Sequence, residues 1–198
     1  MEWLKGTDIY LIDQLLKGTY DHCKDVLDVG CGTGRNLRFL ASKGAIVSGI
    51  DRNAETVLLA EKTIREIPEA RLGSFLCTEA DQLPFESESF DLVICNALLH
   101  FSASENHFMK ILKECFRVLR PGGYFFARTA SDIGIEPLVR KTEGERTFIL
   151  PDGSTRFLVN LEFLLKAELE VNAISHEPIK TTNVQNTRCM TTWCLIKT

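Results

Sequence analysis

Asp25-Val-Leu-Asp-Val-Gly-Cys-Gly-Thr-Gly34 joins a short, apolar, strand-like run to a loop with glycine at every second position. Glycines 30, 32 and 34 let the backbone turn sharply and approach a ligand with no Cβ in the way. A helix is predicted over 35–42, with Gly44 as its C-cap, and its free N–H groups would point at the same place. A tight turn with no ligand would show the same glycines, so the loop by itself leaves both readings open. Asp28 and Cys31 flank and occupy the loop, and Asn36 follows it.

A second element narrows the choice. Val47-Ser-Gly-Ile-Asp51 reads as the next strand and ends on an acid about 20 residues beyond the glycines, followed by Arg52. A carboxylate there offers two acceptor oxygens, which matches the vicinal hydroxyls of a ribose. A third element, Ala80-Asp-Gln-Leu-Pro-Phe85, follows the third strand-like run, 74–77. In it Asp81 could accept from an adenine amine, with Gln82 beside it, or could merely cap a turn. A fourth, Phe90-Asp-Leu-Val-Ile-Cys-Asn96, is a strand ending on Asn96 at the carboxyl edge, where ligands bind in open α/β sheets.

Outward from these runs, strand-like and amphipathic stretches alternate, the pattern of a parallel sheet covered by helices on both faces. Helices are predicted over 9–16, capped by Thr7 or Asp8, over 53–67, stopped by Pro68, and over 104–119. Pro121-Gly-Gly123 turns the chain into a fifth strand, 124–128. The last third differs. Residues 146–159 carry two β-prone runs around Pro151-Asp-Gly153, a hairpin signature, and Asn160 caps a helix to about Glu170. Runs 178–186 and 189–197 are joined too tightly for anything but antiparallel pairing.

Together, Val26–Gly34, Gly49-Ile-Asp51, the Asp81 segment, Phe90-Asp-Leu-Val-Ile94 and Leu119-Arg-Pro-Gly-Gly123 resemble the class I S-adenosylmethionine (SAM)-dependent methyltransferases. The resemblance covers residues 20–130, in order and at the family's spacings. It implies an α/β, Rossmann-like, doubly wound sheet, mostly parallel with an antiparallel C-terminal hairpin strand. It also implies SAM as cofactor, with the 30–34 loop on the methionine part, Asp51 on the ribose, and Asp81 with Gln82 or Leu83 on the adenine. Gly34-Arg-Asn36 and the short N-terminal helix are most similar to the tellurite-resistance-type subgroup, which methylates small molecules. The expected organisation is one domain, 1–198: a helical cap (1–22), a cofactor core (23–130) and a substrate-side insertion with the terminal hairpin (131–198).

Methyl transfer from a sulfonium is an in-line displacement that the protein assists mainly by alignment and exclusion of water. A base is needed only if the acceptor must lose a proton, and His100 is the candidate, against an incidental loop histidine. Tyr10 could close over the cofactor or pack on the sheet edge. Arg128, Arg140, Lys141, Arg146, Arg156 and Arg188 follow the fourth strand and could face an anionic acceptor or solvent. No Asn-Pro-Pro-aromatic sequence follows the fourth strand, which argues against amide and adenine N-methylation. A nicotinamide enzyme would want glycine where Arg35 stands. A non-catalytic SAM-binding or partner-binding protein of the same fold remains the alternative.

The charge balance, −4 over 198 residues, supplies no surplus of cations for a phosphate backbone, so a small-molecule partner is expected and nucleic acid is not. Neither a membrane partner nor a metal is expected. The seven cysteines are scattered without a C-x-x-C pair and read as reduced, mostly buried side chains of a cytoplasmic protein. No motif sets the oligomeric state.

Overall fold

In the computed structural model, which describes residues 2–198, the strand leading into the glycine loop is β1 (Asp25–Val29), inside an eight-stranded sheet. On one side lie β2 (Ile46–Asp51) and the edge strand β3 (Arg71–Cys77). On the other lie β4 (Phe90–Asn96) and β5 (Leu119–Ser131), and these five strands pair in parallel. Three short strands, β6 (Arg140–Lys141), β7 (Thr147–Ile149) and β8 (Thr155–Phe157), form a separate antiparallel sheet. The chain then completes the main sheet with β9 (Ala173–Ser175), β10 (Lys180–Val184) and β11 (Arg188–Lys197). β11 runs antiparallel to β5 on one side and to both β9 and β10 on the other. The expected mixed sheet with a reversed C-terminal hairpin is therefore present.

Helices cover both faces because the strands alternate between two sets of apolar side chains. Val26, Leu92, Ile94 and Phe126 pack towards α1 (Ile9–Leu16), α2 (Arg38–Ser42) and α3 (Ala54–Arg65), through Leu11, Leu15, Leu40 and Ile64. Leu27, Val93, Cys95 and Phe125 pack on the other face against Phe108 and Leu112 of α4 (Glu105–Val118) and Phe163 and Leu164 of α5 (Leu161–Glu170). Side chains of Asp8, Asn53, Ser104 and Asn160 accept backbone N–H bonds at four helix starts. Each such cap is worth about 1 kcal/mol.

Several boundaries differ from those read in the sequence. The helix expected over 35–42 begins only at Arg38, because Gly34 is left-handed (φ +79°) and the chain makes a further turn, Leu37 N–H to Gly34 C=O, before the helix can start. Pro121-Gly-Gly123 does not precede the fifth strand but lies within it, as a register shift opposite Phe90–Leu92. Strand β3 begins at Arg71, where exposed and charged residues mask the run. The 146–159 hairpin forms as β7 and β8 around Gly153 (φ +83°), with β6 added beside it. No helix among the described residues is long and apolar enough to cross a membrane.

Candidate active site

The two edges of the parallel sheet treat charge differently. At the amino-terminal edge, the Arg120 guanidinium donates to Asp25 (2.9 Å) and Asp91 (2.7 Å), and Asp91 also accepts from the N–H groups of Lys24 and Asp25. At the carboxyl edge, buried polar groups are left without partners. Both carboxylate oxygens of Asp28, both side-chain polar atoms of Asn96, Nδ1 of His100, Nε of Arg128 and Oγ1 of Thr129 make no hydrogen bond within the protein. An unpartnered buried polar group costs about 1–3 kcal/mol, and such costs cluster at sites built for a ligand.

Asp28 is the extreme case. It is fully buried, and burial pushes its pKa up to about 7, with Asp51 adding to the rise and the Arg35 guanidinium and the Asn36 amide opposing it. Above it the loop is locked from below: Gly30 N–H and Cys31 N–H both donate to Ile50 C=O (2.8 Å each). Gly30, Gly32 and Gly34 all adopt left-handed φ. A Cβ on Gly30 would meet the Leu98 side chain at 3.2 Å, and one on Gly34 would meet the backbone of Ala60 at 3.3 Å. Cys31 is buried against Gly49, and burial holds its thiol well above the usual range, which suits a spacer rather than a nucleophile.

Asp51 reaches back to the same loop. One carboxylate oxygen accepts from Gly32 N–H and the other from Asn53 N–H, both at 3.0 Å. With Gly30, Ile50 and Arg52 it lines a solvent-open cleft of ≈ 200 Å³, completed by Thr78, Glu79, Ala80, Ala97, Leu98, Phe101, His107 and Ile111. The cleft lies between the carboxyl ends of β1 and β4, where the strand order reverses. Asp81 and Gln82 do not line it; their neighbours Glu79 and Ala80 do.

Other expected residues are dispersed around this cleft. Asn36 is buried and accepts from Asp8 N–H (3.2 Å), tying the N-terminal segment to the loop rather than facing the cleft. Asn96 is buried at the end of β4, one residue before the cleft wall. The Tyr10 hydroxyl bonds Thr182 on β10, and its ring lies 5.0 Å from the Arg128 guanidinium, which pairs with Asp8 at 2.9 Å. His100 is buried and lines a second, solvent-open cavity of ≈ 300 Å³ that adjoins the first at Ala97. Burial, with the Arg156 charge adding to it, lowers the His100 pKa to about 4.

Sequence reasoning missed His107, whose Nδ1 accepts from Ala103 N–H, and Ala97, a non-glycine residue at φ +59°. It also missed what fixes residues 83–85, which follow the cleft-lining Glu79 and Ala80. Arg117 of α4 donates to the carbonyls of Leu83 and Phe85 (2.8 Å each), while its partner Glu114 accepts from Leu83 N–H (2.8 Å). Arg117→Ala is expected to cost about 1–2 kcal/mol in urea unfolding, discounted for partial exposure, and to weaken ligand binding in the cleft several-fold. Full retention of both would deny that this pair fixes the segment.

The fold and the cleft define a nucleoside-binding methyltransferase domain, and comparison with known proteins agrees. The methyltransferase-domain family matches residues 27–127, half of the chain. The chain belongs to that family, the class I SAM-dependent methyltransferases. It is 29% identical over 167 residues to a ubiquinone biosynthesis O-methyltransferase of Coxiella burnetii, covering 79% of this chain and 69% of that one. It is 38% identical over 104 residues to a phthiotriol/phenolphthiotriol dimycocerosates methyltransferase of Mycobacterium tuberculosis, covering 52% and 36%. A solved SAM-dependent methyltransferase of Methanosarcina mazei superposes with a TM-score of 0.71 at 23% identity, over 92% of this chain and 96% of that one.

Proposed function

We propose that this methyltransferase binds SAM in the glycine cleft and passes its methyl group to a small molecule held in the adjoining cavity. The observation that carries the cofactor half is Asp28: a fully buried carboxylate two residues before the left-handed glycines, whose oxygens make no well-formed hydrogen bond and whose burial the nearby Asn36 amide and Arg35 charge offset only in part. An ammonium group is the partner it lacks, and the amino-acid end of SAM supplies one. Asp51 takes the ribose hydroxyls. The adenine side is assigned to the 79–82 segment, where Glu79 and Ala80 line the cleft and Asp81 and Gln82 follow them, with Ile50, Leu98 and Ile111 as apolar walls.

When bound, SAM supplies a methyl already activated on a sulfonium sulfur, so the acceptor's bond to carbon forms as the carbon–sulfur bond breaks. The chain's own contribution is alignment and dryness. Asp28 and the glycine loop orient one end, Asp51 the middle, and Leu98 and Phe101 shield the side next to the acceptor. His100, with a pKa near 4, is neutral at physiological pH and too weak a base to deprotonate an alcohol outright. We assign it a hydrogen bond to the acceptor. Asn36 and Tyr10 act as positioning residues for the loop and the N-terminal segment, and Arg52 and Asn96 remain cofactor-side contacts by proximity.

We further propose one domain over 1–198 (cap 1–22, core 23–130, substrate side and hairpin 131–198), since β9–β11 complete the sheet begun by β1. A cytoplasmic location is supported by seven free thiols, six of them buried. Nucleic acid is not proposed as a substrate, given a net charge of −4. Calorimetric titration tests the cofactor reading: SAM and S-adenosylhomocysteine should bind at micromolar levels and NAD should not. NAD binding without SAM binding would overturn it. Turnover is read as S-adenosylhomocysteine released in the presence of candidate acceptors.

A further inference from the structure

The second cavity carries a charge pattern that the cofactor reading does not use. Its basic residues are Arg128, Arg156 and Arg188, and its acid is Asp152. Arg128 is neutralised from outside the cavity by Asp8 (2.9 Å). That leaves Arg156 and Arg188 against one carboxylate, a net charge of +1. The Arg156 guanidinium donates to its neighbour's carbonyl, Thr155 (2.7 Å), and lies 4.9 Å over the Phe101 ring, with no ion-pair partner among the described residues. Asp152 accepts from the Ser154 backbone N–H and hydroxyl, and the two arginines help to hold its carboxyl below the usual range. The remaining wall is apolar: Ala130, Leu150, Val184 and Met190.

We propose that this cavity selects an organic anion as methyl acceptor: a carboxylate held at Arg156 and Arg188, with an aliphatic or aromatic body lying on Leu150, Val184 and Met190. Guanidinium forks match the two oxygens of a carboxylate, and an apolar floor excludes small hydrophilic anions such as free phosphate. Two features tie the cavity to the chemistry. Ala97 lines both spaces, and Phe101, on the cofactor side, carries Arg156 on its ring. The anion is therefore recognised beside the seam through which the methyl group must pass. His100 Nδ1, buried and unpartnered, gives the acceptor a second polar contact in the same cavity.

This inference rests on the cofactor reading, and the test separates the two. The full chain is saturated with S-adenosylhomocysteine and titrated, by saturation-transfer NMR and calorimetry, with octanoate and 4-phenylbutyrate. Their primary amides and octylamine serve as the neutral and cationic counterparts. The carboxylates should bind at least tenfold more tightly than the amides and the amine, since a hydrogen bond to a charged partner is stronger than one to a neutral partner. Arg156→Gln combined with Arg188→Gln should remove that preference while leaving S-adenosylhomocysteine affinity unchanged. Should the double variant melt early, Arg188→Gln alone carries the comparison, because Arg188 is exposed at a strand end. Equal binding of acid and amide, a preference for the amine, or an unaltered preference in the variants would overturn the anion site. Failure of S-adenosylhomocysteine to bind wild type would instead overturn the cofactor reading.

Discussion

Asp28→Asn is expected to make the ligand-free protein more stable at pH 8 while lowering SAM affinity by about a hundredfold. Both effects come from one carboxylate whose burial is only partly offset by the Asn36 amide and the Arg35 charge. Burial raises its pKa from 3.8 to about 7, so the folded protein binds this proton more tightly than the unfolded chain does. Stability from this group is therefore greatest below pH 4, declines between pH 4 and 7, and stays reduced above 7. A shift of about three units corresponds to roughly 4 kcal/mol, an upper figure that Asn, with its own unpartnered amide, would recover in part. Other carboxylates such as Asp13 and Glu177 are shifted downward and pull the opposite way, so the difference between wild type and variant across pH isolates Asp28. SAM brings the missing cation and favours the ionised form. Its affinity should rise as pH increases through 7, with a proton released on binding below that pH. Thermal melts from pH 5 to 8.5 and calorimetry in two buffers of different ionisation enthalpy measure both. A variant no more stable than wild type at pH 8 and unaltered in SAM affinity would sink the assignment.

The same residue shows how far the sequence could be read. Strands β1, β2 and β4 were legible because burial on both faces demands mostly apolar runs, interrupted only by single polar or glycine positions such as Asp28, Ser48, Gly49 and Asp91. The C-terminal hairpin was legible because two long β-prone stretches leave no room for a crossover. Short elements were not. Strands β6 and β9 have two and three residues, too few to show a period. The start of α2 was misplaced because Arg35 and Asn36 are acceptable helix residues, and only the inward turn of Asn36 towards Asp8 N–H reveals that they lie outside it.

The site divided along the same line. The residues proposed to hold the cofactor lie at consecutive strand ends, where spacing along the sequence points to them. Past the third strand, however, Glu79 and Asp81 are both acids two positions apart, and the sequence does not distinguish Glu79, which lines the cleft, from Asp81. The acceptor cavity gathers residues from 97 to 190 across the insertion and the terminal hairpin, and no local pattern announces such a gathering. Ala97 gave no signal at all, because alanine carries no hint of a left-handed φ.

Asp51→Ala is expected to lower SAM affinity by more than tenfold, approaching a hundredfold, and to destabilise the ligand-free protein by about 1–3 kcal/mol. The two losses have separate origins. In the ligand-free protein the carboxylate already accepts from Gly32 N–H and Asn53 N–H, so it braces both the glycine loop and the residue that caps α3. Alanine leaves those donors to water and loosens a loop whose glycines occupy left-handed φ. The ribose would in addition lose its two acceptors. Asp51→Asn separates these contributions, since it keeps one acceptor oxygen and turns the other into a donor facing an N–H group. It should retain part of the stability yet bind SAM nearly as poorly as the alanine variant. Adenine alone, which does not reach the ribose position, should bind both variants with little change. Calorimetry with SAM, adenosine and adenine, alongside urea unfolding, measures these quantities. SAM affinity unchanged in Asp51→Ala would refute the ribose role. A loss equally large for adenine would reassign Asp51 to bracing the loop and the cap.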